Sequence, residues 1–481
     1  MYNYAVYFLV MVTRLTFEKY RAWNYNDIVK KRERLKNMKQ NNFLKSVCNL
    51  AIPVAIQSML QSSFSIVDQI MIGQLGSVSV AGVGLAGKFS SIYTVLISAI
   101  GAVAGIMIAQ YLGQKNKQEI HRSFWINMWI GMVFAAVFTV VCGLFPVKIM
   151  GMYTRDMDTM VAAGEYLKIL SGTFLPVAGA TLLATLFRCM EKTQLPLIAS
   201  IVAAILNTGL NYILIFGKCG FDVMGAKGAA VATLISQIAN FIIMFVLLLV
   251  NRECLKQITE KEKAVGTFQW KQYMAMLLPM LACEFFWSLG ENMYAIIYGH
   301  LGTQQCAAMT LINPIQGLMI GALCGLSQAA GVIIGKLLGN KEYDEAYKAS
   351  WKLIKYGFIG SACLSVIIVL TSDLYVEIYQ VEDTVKIITR QILFAYACVA
   401  PFKVLNMITG GGIIRSGGKT KYLMVIDMIG TWGFGVPLGL LSAFVFQLTI
   451  PWVYFILSLE ECVRFGVSVV VLKRKKWMQS L

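Results

Sequence analysis

Residues 49–76 read NLAIPVAIQSMLQSSFSIVDQIMIGQLG, an apolar helix-forming stretch in which Asp68 is the one charged residue. An ionised carboxylate in hydrocarbon costs several kcal/mol, so an acid in such a segment faces a bundle interior or a wet cavity, where it binds or relays a cation. Gln61 and Gln57 lie seven and eleven residues before Asp68, which at 3.6 residues per turn returns them to its side of the helix. The three make one polar stripe. The plainer alternative is that Asp68 only terminates the helix near Gly73, about 7 Å further along the axis.

Outward from this stretch, composition sets the class. The chain has 481 residues, 57% of them hydrophobic and 14% charged, with mean hydropathy +0.66. A soluble domain of this size with that much apolar surface would aggregate, so the chain reads as a polytopic membrane protein. The net charge of +17 raises the question of nucleic acid, but the placement of the 42 Lys and Arg between apolar segments answers it in favour of membrane orientation. The 11 Cys are scattered without a CxxC pair or a paired framework and read as reduced, small packing residues.

Residues 1–45 hold a short apolar run and the tract KKRERLKNMKQ, and read as a polar cytoplasmic tail in which Met38 offers a second start. Beyond it, twelve apolar segments are long enough to cross about 30 Å of hydrocarbon. They are 47–72, 82–111, 124–145, 161–184, 195–216, 228–250, 273–298, 308–338, 351–372, 388–412, 422–446 and 451–472. With both termini inside, 33 of the 42 basic residues fall on the cytoplasmic side, Arg464 among them, while Lys88 and Lys403 fall within spans. The expected organisation is a first lobe at 46–250, a linker at 251–272, a second lobe at 273–472 and a basic cytoplasmic tail at 473–481.

The two halves repeat. Adding 226 to a residue number carries Pro53 to Pro279, Gly73 to Gly299, Gly105 to Gly331 and Gly113 to Gly339 without a gap. Shared Ala or Leu arises by chance in apolar sequence, but a fixed register of Pro and Gly sets kinks and turns and does not. A second pair, FRCMEKTQLP and IRSGGKTKYL, aligns Arg188 with Arg415 at an offset of 227. Six spans per half give both repeats the same orientation, related by an axis along the membrane normal.

The stretches VDQIMIGQLG at 67–76, RCMEKTQ at 188–194, NTGLNYILIFG at 207–217, GAKGAAVATLISQ at 225–237, EFFWSLGENMY at 284–294 and IIRSGGKTKY at 413–422 resemble the multidrug and toxic compound extrusion (MATE) family. The resemblance covers about residues 45–472 in both halves. It implies an all-α fold of two six-helix lobes and export of organic, often cationic compounds against inward Na⁺ or H⁺, with no other cofactor. Asp68 matches the family's coupling acid of the first helix and is a possible Na⁺ ligand, and Asn207 matches an Asn that faces it. Asn211 stands where some prokaryotic members carry a second Asp, and Thr181 and Thr233 join the cation-coupling set. In the second half, Glu284, Ser288 and Glu291 follow an i, i+4, i+7 pattern on one helix face, and Lys403, in a span with Asn406, is placed to neutralise one of the two acids. The family's sodium site in that lobe is not carried over, because its partner Asp is missing here. Gln57, Gln61, Phe64, Glu284, Trp287, Ser288, Glu291, Lys403 and Asn406 are the expected substrate-binding residues, with aromatic faces and Met suited to flat cations. The resemblance implies small organic substrates, a bilayer and no nucleic acid as partners, and a monomer in a prokaryotic cytoplasmic membrane.

Other classes fit less well. His121 and His300 are the only histidines, and HExxH, GxSxG and Walker A motifs are absent, which speaks against an enzyme. A buried Asp between two parallel repeats suits alternating access better than a pore. A lipid-linked oligosaccharide flippase of the same superfamily shares the expected shape but handles anionic pyrophosphate, and a basic cavity for that is not expected from Lys88 and Lys403 alone.

Overall fold

The computed structural model describes residues 40–75, 77–259, 269–377, 379 and 381–481, and the regular elements among them are all helical. Most of the expected N-terminal tail and the middle of the 251–272 linker lie outside the described residues. Leu50–Leu481 forms one compact unit, which carries every site described below.

The helices of the first half are α1 (Gln40–Gly73), α2 (Ser77–Gln114), α3 (Lys117–Leu144), α4 (Pro146–Met150), α5 (Met157–Leu170), α6 (Phe174–Cys189), α7 (Gln194–Phe216) and α8 (Gly225–Val250). A short α9 (Arg252–Thr259) follows. The second half has α10 (Trp270–His300), α11 (Thr303–Gly339), α12 (Tyr343–Glu377), α13 (Asp383–Ile408), α14 (Lys421–Asp427), α15 (Val436–Leu440), α16 (Ile450–Ser458) and α17 (Glu460–Lys473). Hydrocarbon offers no partner for backbone N–H and C=O groups, so spans close their hydrogen bonds internally as helices. Eleven stretches among the described residues are long and apolar enough to cross a membrane, and they coincide with the first eleven expected spans. The expected span at 161–184 is longer than its apolar core, running Met157–Cys189 through a tight turn at Ser171–Thr173.

The twelfth expected span departs from a single helix. It breaks at Leu459, whose N–H bonds Ile456 O at 3.1 Å, into α16 and α17. Charged residues just past the break interrupt its apolar run: Glu460, Glu461 and Arg464 are only 5, 6 and 7% exposed. Arg464, expected on the basic cytoplasmic flank, is therefore an internal residue. The helices beside it are wound more widely than α at Thr409–Ile414, Met428–Gly435 and Leu441–Val445, the kind of local π-turn that recurs at functional sites. Glycine permits this crowding: a Cβ on Gly430 or Gly435 would collide with the side chains of Arg464 or Glu460.

The halves meet through the repeat itself. Gly113 of α2 lies on the Lys336 carbonyl of α11, and Gly339 of α11 lies on the Gln110 carbonyl of α2. Since 110 and 336 are also 226 apart, this is a self-complementary contact about a two-fold pseudo-axis. Further along, Gly325 and Gly321 of α11 leave room for the α1 backbone at Ala51 and Met59. The expected basic tail at 473–481 is packed here: Trp477 is fully buried, and Gln110 and Gln114 hydrogen-bond Gln479 O, Ser480 and Leu481. We refer to this end of the bundle, where the turns near 115, 191, 341 and 418 gather, as the basic end.

Candidate functional site

The stripe on α1 faces α7. Gln57 donates from Nε2 to Ser200 Oγ at 2.7 Å, and three turns later Asn211 donates from Nδ2 to Asp68 Oδ1 at 2.7 Å. The Asn207 amide is best satisfied with its nitrogen toward Asp68, donating to Oδ2 and Oδ1 at 3.0 and 3.1 Å. Asn207 and Asn211 are one turn apart on α7, which is why one carboxylate reaches both. Thr233 of α8 stands behind Asn207, 3.5 Å away, with its own hydroxyl donating to Ala229 O at 2.9 Å. Tyr166 of α5 is buried within electrostatic reach of Asp68. The carboxylate itself is only half-buried and has no cation partner within salt-bridge distance among the described residues. Asn211 is 1% exposed and its Oδ1 has no hydrogen-bond partner. The arrangement gives a carboxylate held by neutral donors, with spare oxygens that suit either a proton or a hard cation.

Not every expected member joins it. Thr181 lines a different cavity, with Thr185 and Arg188, and is not among the hydrogen-bond partners of Asp68. Gln61 is exposed and Phe64 half-buried on the same helix.

In the second half the same positions carry other chemistry. Cys283 Sγ donates to Asp427 Oδ2 at 2.7 Å, and these residues are 226 and 227 beyond Gln57 and Ser200. Asp427, Glu460 and Glu461 surround Arg464 at 3.8, 3.8 and 4.0 Å. Asn406 donates to Glu461 Oε2 at 2.8 Å and to Glu461 O at 2.7 Å, which makes it a structural partner of that acid. A cavity of about 240 Å³ opens beside this cluster, lined by Glu291, Lys403, Glu460, Glu461 and the tyrosines 294, 298, 396 and 454.

The two acids expected on one face of α10 separate. Glu291 shares that cavity with Lys403, so of the two it is Glu291 that the lysine accompanies. Glu284 lines a second cavity of about 190 Å³ with Arg188 and Arg415. Two helical turns, about 10 Å, are enough to place them in different surroundings. Ser288, between them, is half-buried, and Trp287 is 42% exposed.

Comparison with known proteins adds to this geometry. The MatE family model matches residues 53–213 and 279–441, one match in each half. The chain belongs to the MatE family of transporters. Among curated relatives it is 24% identical over 398 residues to the uncharacterised transporter YisQ of Bacillus subtilis, covering 82% of this chain and 87% of that one. It is likewise 24% identical to the probable multidrug resistance protein NorM of Thermotoga maritima, with 84% and 86% covered. Among solved structures, MATE in complex with MaL6 superposes with TM-score 0.81 at 17% identity over 90% of this chain and 97% of that one. An aspartate-to-asparagine mutant of the Vibrio cholerae MATE transporter VcmN gives 0.81 at 16% identity, with 91% and 99% covered. These structures share the two-lobe, all-helical fold.

For this MatE chain, sequence reasoning missed the charged interior of the second lobe. Glu460 and Glu461 fall in the middle of the expected span 451–472 and Asp427 inside 422–446, where their charge stands out as that of Asp68 does, whereas Arg464 reads with the basic flank and Arg188 and Arg415 sit next to polar turns. One signal was available: the 226–227 register puts Arg188 opposite Arg415 and Ser200 opposite Asp427, so a charge in one half asks what its counterpart faces. Lys88 is exposed on α2, and the basic residues within the bundle are Lys403, Arg188, Arg415 and Arg464.

Proposed function

We propose that this MatE-family chain is a secondary antiporter that exports organic, often cationic compounds in exchange for inward Na⁺ or H⁺ by alternating access, with Asp68 as the coupling residue. The observation that carries the reading is the Asp68 carboxylate held by Asn207 and Asn211 inside the first lobe, half-accessible and without a cationic partner among the described residues. Such an acid binds a proton or an ion at the expense of nothing else in its surroundings, which a structural ion pair cannot do. Asp68 and the orphaned Asn211 Oδ1 supply the oxygens that a Na⁺ would take. Names among the relatives, such as probable multidrug resistance protein, support drug export.

Export requires that the coupling cation and the organic compound prefer opposite-facing states. The bias of Lys and Arg toward the basic end supports placing that end and both termini in the cytoplasm, in a prokaryotic cytoplasmic membrane. The test is uptake of a fluorescent organic cation into everted vesicles under an imposed Na⁺ gradient and then an imposed H⁺ gradient. Uptake driven by neither gradient, or driven equally well in Asp68→Asn, overturns the reading. The Arg188 and Arg415 cavity favours a second reading, a flippase of lipid-linked oligosaccharide. Transport of such a lipid, with no transport of dye, in proteoliposomes would establish it instead.

A further inference from the structure

The cavity between the halves is built on the pseudo-axis. Gly105 and Gly331, Ala102 and Gln328, Ile106 and Val332, and Arg188 and Arg415 are four repeat-related pairs in its lining. Each lobe therefore contributes one arginine to a shared space of about 190 Å³. At Gly105 the packing is close: a Cβ there would crowd Thr185 Cγ2 at 3.3 Å.

The charges do not balance. Among the described residues Glu284 is the only carboxylate in the lining, and Arg415 lies within electrostatic reach of both Glu284 and Arg188. Neither guanidinium has a salt-bridge partner within 4 Å among the described residues, and the buried Arg188 Nε has no hydrogen-bond partner. The nearby Glu191 is engaged with Lys336 at 2.7 Å. Two guanidiniums facing one carboxylate leave a surplus positive charge inside the membrane-spanning bundle, and an unpaired charge there is strongly unfavourable unless something neutralises it. Guanidinium presents a planar fork of donors that matches carboxylate and phosphate oxygens. The space is below the roughly 300–1,000 Å³ of pockets for drug-sized ligands, so the occupant is small.

We propose that Arg188 and Arg415 together bind a small free oxyanion, a carboxylate or phosphate group, between the lobes, and that this anion holds the basic end closed. The closing effect follows from the arginines belonging to different lobes. Both can reach one anion only while α2 and α11 are packed through Gly113 and Gly339, so an anion that uses both binds this arrangement more tightly than an open one and shifts the population toward it. The site rests on the antiport reading, in which the cavity is free of exported lipid, and does not depend on Asp68.

The experiment uses the full chain purified in an uncharged detergent, titrated with inorganic phosphate or acetate against chloride at constant ionic strength. We expect a saturable rise in melting temperature in the wild type, and at least tenfold weaker binding in Arg188→Gln and in Arg415→Gln. Arg415→Lys keeps the charge but loses the fork and should bind with intermediate affinity, which separates a ligating role from a folding defect. Glu284→Gln removes the competing carboxylate and should tighten phosphate binding. Spin labels on the turns at Lys192 and Lys419 should report a larger short-distance population with phosphate. Absence of a saturable shift overturns the proposal, as does one unchanged in both glutamine variants. Stabilisation by phosphatidylglycerol alone, with phosphate inert, would assign the arginines to a lipid headgroup and likewise overturn it. Because none of these readouts involves transport, their failure is distinguishable from failure of the antiport reading.

Discussion

Asp68 and Tyr294 are repeat-equivalent, 226 residues apart, but the polarity of the site is reversed between them. Asp68 accepts from Asn211, whereas Tyr294 donates its hydroxyl to Glu460. In the first lobe the acid is on the α1 stripe and neutral amides come from across the bundle. In the second the acid comes from α17, and it already shares Arg464 with two other carboxylates. A carboxylate tied to an arginine is poorly placed to exchange cations, so coupling is expected to be asymmetric. Asp68→Asn should abolish gradient-driven efflux while leaving expression and melting temperature close to wild type, because the change is nearly isosteric. Tyr294→Phe should do the reverse, lowering stability by about 1.5–3 kcal/mol for a lost hydrogen bond to a charged group while retaining coupling. Efflux assays and thermal melts on the same two preparations would show whether the effects separate in this way.

Arg464 is predicted to be the largest single stability determinant of the second lobe. Three carboxylates approach it within 4.0 Å, and its removal leaves them facing one another in a buried site. Breaking a buried ion pair by removing one partner costs about 3–5 kcal/mol. Arg464→Met should therefore sharply reduce the folded, monodisperse fraction in size-exclusion chromatography. Adding Glu460→Gln and Asp427→Asn to it should recover much of the loss. If the single variant is as monodisperse as wild type, the cluster does not stabilise the lobe.

The fold was largely legible because its two signals, apolar length and a fixed Pro and Gly register, are local properties of the chain. Asp68 was legible for the same reason, as one acid in an uncharged helix, whereas Asn207 and Asn211 were implied by the family resemblance. What escaped was the charged interior of the second lobe, both the basic residues beside span ends and the acids Asp427, Glu460 and Glu461 inside the last two spans. Arg188, Arg415 and Arg464 look like solvated flanks in one dimension, and tertiary packing of α2 and α11 encloses the first two. Helix winding escaped too. Nothing in the apolar pattern of 428–445 distinguishes wide turns from an ordinary helix, although two of its four glycines, Gly430 and Gly435, supply the room that Arg464 and Glu460 occupy.

Gly113→Ala and Gly339→Ala should have matching effects. In each, the new methyl collides with a backbone carbonyl of the opposite half, Lys336 or Gln110, which cannot rotate away as a side chain could. Overpacking of this kind costs about 1–3 kcal/mol, and here it falls only on the arrangement closed at the basic end. Cys189, 2% exposed, provides the readout: in a background where it is the sole cysteine, either substitution should raise its labelling by a maleimide several-fold. Unchanged labelling in both would mean that this contact does not set the closed state.

The remaining prediction concerns driving force. One positive charge moving inward down about 100 mV supplies roughly 2.3 kcal/mol, which at about 1.4 kcal/mol per tenfold supports a concentration ratio of order 50 for each net charge exchanged. To convert that into export, cation binding must weaken binding of the organic compound, and linkage requires the reverse effect to be equal. Asp68, with a half-accessible carboxylate and amide partners that stay neutral, is the group through which this opposition should act. Raising Na⁺, or lowering pH, should therefore weaken binding of a fluorescent cation to the purified protein, and Asp68→Asn should bind it with the same affinity across the whole series. The second-lobe acids give the control, since Glu291 lies beside Lys403 and the Glu460 and Glu461 cluster, and Glu291→Gln should keep the wild-type cation dependence. Should the dependence survive in Asp68→Asn and vanish in Glu291→Gln, the coupling site belongs to the second lobe.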